Sequence, residues 1–248
     1  MEDPDDHARH RSSLAAGRAR TPAWRTRRAY VGLGANLGDA DATLAAGVRA
    51  LAALPGARLR GVSRLYATAP WGVIDQPEFR NAVVALDVPA GPAPATGATA
   101  LLVTLKSLER AFGRVERRRW GPRELDLDLL VFGRARLSVE RPPAGRSADP
   151  AKAALPLTVP HAEARRRLFV LAPLADQAPG LAPPGWGETV ATALRRQVSA
   201  EEPGSVRPIG AWAGDHWRPI GASRQDRPPR KRVGSASSEA PSGRRSTR

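Results

Sequence analysis

Two aspartates one residue apart, Asp126 and Asp128, sit in the run Arg119-Trp120-Gly121-Pro122-Arg123-Glu124-Leu125-Asp126-Leu127-Asp128-Leu129-Leu130. Side chains alternate across a strand, so both carboxylates leave one face while Leu125, Leu127 and Leu129 leave the other, toward a core. The carboxylates then lie roughly 6–7 Å apart. Two like charges at that spacing call for a counter-ion, and the hard cation suited to paired oxygen ligands beside phosphate is Mg²⁺. Arg119 and Arg123 lie on the approach to the same strand, where planar guanidinium forks suit phosphate oxygens. The combination reads as a metal–nucleotide site. The alternative for a bare Asp-x-Asp is an exposed strand face neutralised by salt bridges, and Trp120-Gly121-Pro122 beside it weighs against that.

The elements that must position these groups follow from periodicity. Residues 29–34 form a short apolar strand running into the loop Ala35-Asn36-Leu37-Gly38, with Asp39 placed to cap a helix. Leu44, Val48, Leu51 and Leu54 keep helical spacing, and Pro55-Gly56 stops the run. A strand over 57–67 leads to an irregular loop broken by Pro70, Gly72 and Pro77, then a strand over 79–88, a linker over 89–98 and a helix over 99–113. An arginine-rich loop, 114–123, enters the carboxylate strand, 125–132. Residues 138–156 hold four prolines and read as a long inserted loop. Order resumes at Leu157-Thr158-Val159-Pro160-His161, Leu168 to Leu174 is apolar, and 188–198 suits a last amphipathic helix. This βαββαβ order predicts an α+β fold, an antiparallel sheet covered on one face by helices.

Both ends look poor in core material. Residues 1–28 and 201–248 are rich in Arg and show no apolar period, so both are expected to be disordered basic tails around one domain over 29–200. A weak repeat in the second tail, Arg207-Pro208-Ile209-Gly210-Ala211 and Arg218-Pro219-Ile220-Gly221-Ala222, reads as a short partner-binding motif or as neutral tail. The net charge of +15 suggests polyanion partners, which nucleoside triphosphates satisfy as well as nucleic acid does. Cysteine is absent, which removes disulfides, thiolate metal sites and cysteine nucleophiles; the four histidines are too scattered for a metal cluster. No leader or membrane-length apolar run is present, so a soluble cytoplasmic chain is expected.

Gly32-x-Gly34-x-x-x-Gly38 has the wrong last spacing for a dinucleotide fingerprint. Read with four later segments it acquires another meaning. Tyr30 to Gly38, then Thr68-Ala69-Pro70-Trp71-Gly72 with Gln76-Pro77-Glu78-Phe79-Arg80-Asn81, then Glu109 and Gly113-Arg114, then the carboxylate run, then Leu157 to His161 together resemble the 6-hydroxymethyl-7,8-dihydropterin pyrophosphokinase family of folate synthesis, over about residues 29–181. The segment at 138–156 looks like an insertion of the kind seen in actinobacterial members.

The resemblance implies a ferredoxin-like fold, ATP with two Mg²⁺ ions, and transfer of a whole pyrophosphoryl group to the pterin hydroxymethyl with release of AMP. Asp126 and Asp128 would hold both metals. Arg114, Arg119 and Arg123 would clamp phosphates, with His161 and Arg167 closing from the other side and Trp120 packing over the site; Leu102, Lys106 and Thr158 complete the implied ATP contacts. A flat pterin wants aromatic faces and a side-chain amide at its rim. Phe79 and Phe169 match the family's stacking pair, Asn81 and Thr68 its edge contacts, and Pro70 and Trp71 lie in the same wall. Glu116, Pro156 and Ala162 depart from the family pattern and bear on ATP affinity. A monomer with no nucleic-acid or membrane partner is expected. The rivals are a Mg-dependent nucleotidyltransferase, which would release pyrophosphate, and an Arg-rich nucleic-acid-binding protein, which would need more exposed aromatics than this chain's 5%.

Overall fold

Strand alternation sorts the first strand at once. In β1 (Thr26–Ala35), Ala29, Val31 and Leu33 enter one apolar cluster while Tyr30 enters a second on the opposite face. The computed structural model describes residues 25–70, 75–114, 123–147 and 153–220. Trp71, Glu116, Arg119 and Trp120 lie outside these residues, as do the first 24 residues and those from 221 onward.

Helix α1 (Ala40–Ala52) begins where the Asp39 carboxylate accepts the Ala42 N–H at 3.0 Å, the cap read from the sequence. The segment 57–67, expected as one strand, forms two: β2 (Arg58–Val62) and β3 (Leu65–Thr68). The break falls at buried Ser63, whose backbone N–H still reaches the Val83 carbonyl and whose hydroxyl accepts the Val83 N–H. Both strands lie antiparallel against β4 (Phe79–Pro89). Helix α2 (Pro94–Ala111) starts inside the expected linker, because Pro94 opens its first turn with a ring whose φ already suits a helix.

Strand β5 (Asp126–Phe132) then pairs with the free side of β1, giving the order β5-β1-β4-β3 with β2 also on β4. This is two interleaved split β-α-β units, all neighbours antiparallel. Within 138–156, β6 (Leu137–Val139) pairs with β7 (Leu157–Val159), and a 3₁₀ turn occupies Pro143–Gly145. Helices cover both faces of the sheet rather than one. Leu44, Val48 and Leu51 of α1 and Leu101, Leu102 and Leu105 of α2 fill the first cluster. Leu171 and Leu174 of α3 (Leu168–Gln177) and Val190 and Ala193 of α4 (Val190–Val198) meet Val83, Ala85, Leu130 and Val131 in the second. Near-continuous apolar runs in β4 and β5, as opposed to alternating ones, are the local sign of burial on both faces.

The largest departure is at the carboxyl end. The presumed tail continues as β8 (Val206–Trp212), which pairs with β3, and β9 (Trp217–Pro219), which pairs with β8. The weak repeat is therefore the two arms of a hairpin, in register at Gly210↔Pro219, Ala211↔Arg218 and Trp212↔Trp217. Three apolar residues outweigh the arginines and prolines around them: Ile209, Trp212 and Trp217 join the first cluster, and Trp217 is 8% exposed with its indole N–H on the Ser63 carbonyl at 2.9 Å.

Candidate active site

The two aspartates stand where alternation puts them, on the face of β5 away from Leu127 and Leu129. Asp126 is opposite Gly34 of β1 and Asp128 opposite Gly32. On its other side Gly34 is opposite Asn81 of β4, which is opposite Tyr66 of β3. A Cβ on Gly34 would sit 3.3 Å from the Asn81 side-chain oxygen and 4.0 Å from the Asp126 Cβ. Glycine thus leaves open floor between a carboxylate and an amide. That amide is oriented: Asn81 Nδ2 donates to Thr68 Oγ1 at 2.9 Å. Phe79, two residues before Asn81, stands on the same face and is half-buried.

As an edge strand, β5 has outward backbone groups that need partners. Helix α2 supplies them with side chains. Glu109 Oε1 accepts the Leu127 N–H at 2.7 Å, and Lys106 Nζ donates to the Leu127 carbonyl at 2.9 Å and to Glu109 at 2.6 Å. The Lys106 ammonium also comes within 4.0 Å of Asp128 Oδ1. Further along the same edge the His161 N–H reaches the Leu130 carbonyl at 2.8 Å.

Burial pushes the Glu109 carboxyl up to about 7, against the pull of Lys106 and with Asp126 adding to the rise. Arg114 lies between these anions, 3.0 Å from Glu109 Oε1, 3.3 Å from the Leu125 carbonyl and ion-paired to Asp126. Burial works against its charge, yet Asp126 and Glu109 together raise its pKa above the ordinary value. Arg123 is the second guanidinium on Asp126. Asp126, its side chain 13% exposed, is thus salt-bridged by two of the arginines assigned to phosphate.

One residue organises both sides of this face. Asn36, 2% exposed at the end of β1, donates through Nδ2 to Gln76 Oε1 at 3.0 Å and to the Pro77 carbonyl at 3.1 Å, and its Oδ1 accepts the Arg123 N–H at 2.7 Å. Its own N–H reaches the Arg123 carbonyl at 3.0 Å. The segment leading to Phe79 and the segment leading to Asp126 are thereby tied to one amide. Asn36 and Gly34 stand in the first motif and Glu109 in a later one, with no role for any of them visible from their neighbours in sequence. A polar residue in a glycine loop flanked by apolar strand is the signal that could have marked Asn36.

Of the remaining expected residues, Leu102 belongs to the core: it is 2% exposed and packs beneath Gly145, because the turn at Pro143–Gly145 closes over that part of α2. Thr158 is on β7 opposite Ser138, and half-buried Pro70 follows β3. Arg167 precedes α3 with its guanidinium 5.8 Å over the Phe169 ring and 3.9 Å from Glu163. Pro156 and Ala162 are exposed. Among the described residues no group of three or more His, Asp or Glu is placed to hold a metal. A two-carboxylate set fits Mg²⁺, which commonly takes its remaining oxygens from substrate phosphate and water.

The family model for 7,8-dihydro-6-hydroxymethylpterin-pyrophosphokinase (HPPK) matches residues 30–179, which include the aspartates, Asn36, Asn81 and α2. The chain belongs to the HPPK family. A curated HPPK relative, the 2-amino-4-hydroxy-6-hydroxymethyldihydropteridine pyrophosphokinase of Methylorubrum extorquens, is 44% identical over 169 residues, 68% of this chain and 92% of the relative. The enzyme of that name from Pseudomonas aeruginosa is 42% identical over 154 residues, 62% of this chain and 82% of its own. Plasmodium falciparum HPPK-DHPS, solved with pteroate, superimposes with a TM-score of 0.59 at 14% identity over 79% of this chain. That likeness is one of fold, and the present chain covers 48% of the longer protein.

Proposed function

We propose that the chain transfers the pyrophosphoryl group of ATP to the hydroxymethyl oxygen of 6-hydroxymethyl-7,8-dihydropterin, releasing AMP, as a step of folate synthesis. The observation that carries this reading is the row Asp126–Gly34–Asn81 across three adjacent strands. Two strand spacings are about 10 Å, room for a polyphosphate at the carboxylate end and a flat heterocycle at the amide end of one face.

In the reaction the pterin hydroxymethyl oxygen attacks the β-phosphorus and releases its proton to solvent as the new P–O bond forms, and the bond from that phosphorus to the oxygen bridging it to the α-phosphorus breaks, leaving AMP. Two Mg²⁺ ions held by Asp126 and Asp128 would neutralise the triphosphate and favour attack. Arg114 and Arg123, paired with Asp126, would also meet phosphate oxygens. Arg119, Thr158, His161 and Arg167 complete the proposed phosphate and nucleotide contacts, with Trp120 beside them. Lys106 and Glu109 hold the edge of β5 and so fix the spacing of the two aspartates. Thr68 and Asn81 would present hydroxyl and amide to the pterin rim and Phe79 and Phe169 ring faces, with Pro70 and Trp71 assigned to the pterin as well. The chemistry needs little beyond alignment and charge, which a rigid sheet supplies.

Among the described residues no helix is long and apolar enough to cross a membrane. A monomer working in the cytoplasm, without nucleic acid, completes the reading. Steady-state AMP release tests the residue roles. Asp126→Ala and Asp128→Ala are expected to lower kcat by about a thousandfold or more, and Arg123→Ala by about a hundredfold. Variants of either aspartate within tenfold of the parent would remove this pair from the reaction.

A further inference from the structure

The connection between β3 and β4 has two described stems, Ala69-Pro70 on entry and Asp75 to Glu78 on exit. One short stretch of the carboxyl-terminal segment touches both. The Ser205 carbonyl accepts the Ala69 N–H at 3.2 Å. Two residues on, Arg207 grips the Glu78 carboxylate with both arms, Nη1 to Oε1 at 2.7 Å and Nη2 to Oε2 at 2.8 Å. Between these contacts β8 runs in register with β3, Thr68 opposite Val206 and Ala67 opposite Arg207. β3 is four residues long, and without β8 it would be an edge strand held from one side only.

The hairpin has its own anchors away from these stems. Trp217 is buried with its indole on the Ser63 carbonyl, and Arg49 of α1 donates to the Asp215 carbonyl at 2.8 Å. It is therefore a fixed element against which β3 and the stems are set. It also lies beyond residue 179, where the family match ends.

We infer that the hairpin β8–β9 is a positioning element for the pterin side of the site, acting through Ser205 and Arg207 on the stems that carry Thr68, Phe79 and Asn81. This rests on the pterin reading of those three residues. Arg207 touches no substrate in this scheme. Its side chain is 50% exposed and that of Glu78 36%, so the pair adds little to global stability and its loss separates positioning from folding.

The test uses the full chain with Arg207→Glu, Glu78→Arg and the two combined. Arg207→Glu is expected to raise KM for the pterin about three- to tenfold, with kcat and KM for ATP held within about twofold, and to speed hydrogen exchange at the Ala69 amide. Thermal stability stays within a few degrees. The charge-reversed pair restores both the pterin KM and the slow exchange. Unchanged exchange and pterin KM in Arg207→Glu, a double variant that restores neither, or equal losses in kcat and in the ATP KM would each overturn the inference. If the chain proved inactive toward the pterin, the functional reading would fall, while Ala69 exchange in the three variants would still decide whether Arg207 sets the stem.

Discussion

Asn81 and Asp126 approach Gly34 from opposite sides: each is its register partner, one from β4 and one from β5. The middle strand carries no side chain at that point, so amide and carboxylate face the same open floor. Both the metal end and the rim-recognition end of the proposed site are thereby fixed by one hydrogen-bonded ladder.

Gly34→Ala tests that floor. The residue has no left-handed backbone angle to lose, so the variant is expected to melt within a few degrees of the parent. Its methyl, 3.3 Å from the Asn81 oxygen, would displace that amide or fill the floor, raising KM for the pterin about tenfold, equivalent to roughly 1.4 kcal/mol. Steady-state kinetics beside a thermal melt check both halves; an unchanged pterin KM would place the floor outside the site.

Glu109→Ala addresses the edge of β5. The substitution removes the acceptor for Leu127 N–H and leaves buried Lys106 with Asp128, at 4.0 Å, in place of its close anion. Breaking a buried pair of this kind costs about 3–5 kcal/mol. Urea denaturation is expected to show a loss of that order, with kcat falling in parallel as the aspartate spacing loosens. A loss under about 1 kcal/mol would mean that water takes up the Leu127 N–H and Asp128 serves Lys106 in its place.

The strand face of Asp126 and Asp128, the Asp39 cap and helices α1 and α4 were legible because each depends on neighbours a few positions away. Asn36 was not. Its side-chain partners lie 40, 41 and 87 residues distant, so nothing local marks it as a hub. Lys106 was expected as an ATP contact and Glu109 only as a motif acid, because their spacing of three on a helix says nothing of β5 beside them. The assignments of Phe79, Phe169 and His161 came from resemblance, since a lone aromatic or histidine is as often core. The carboxyl-terminal hairpin was hidden by composition: an edge ribbon exposes much of itself, so Arg and Pro dominate the count while Ile209, Trp212 and Trp217 do the packing.

That hairpin carries the ordered fold past residue 200, where a disordered tail was expected. Trp217→Ala is expected to cost about 3–5 kcal/mol. At about 2–4 °C per kcal/mol for a chain of this size, the melting point should fall by roughly 6–20 °C. A chain ending at residue 200 should lose at least as much. Calorimetry on both decides it, and an unchanged melting point in either would show that the hairpin adds nothing to the fold.

The central claim is the group transferred, and phosphorus NMR of the product mixture tests it most directly. With Mg-ATP and 6-hydroxymethyl-7,8-dihydropterin, the account predicts equal amounts of AMP and a pterin carrying two linked phosphorus resonances, neither formed by Asp126→Ala. ADP with a pterin monophosphate, or free pyrophosphate with a nucleotidyl-pterin, would contradict it.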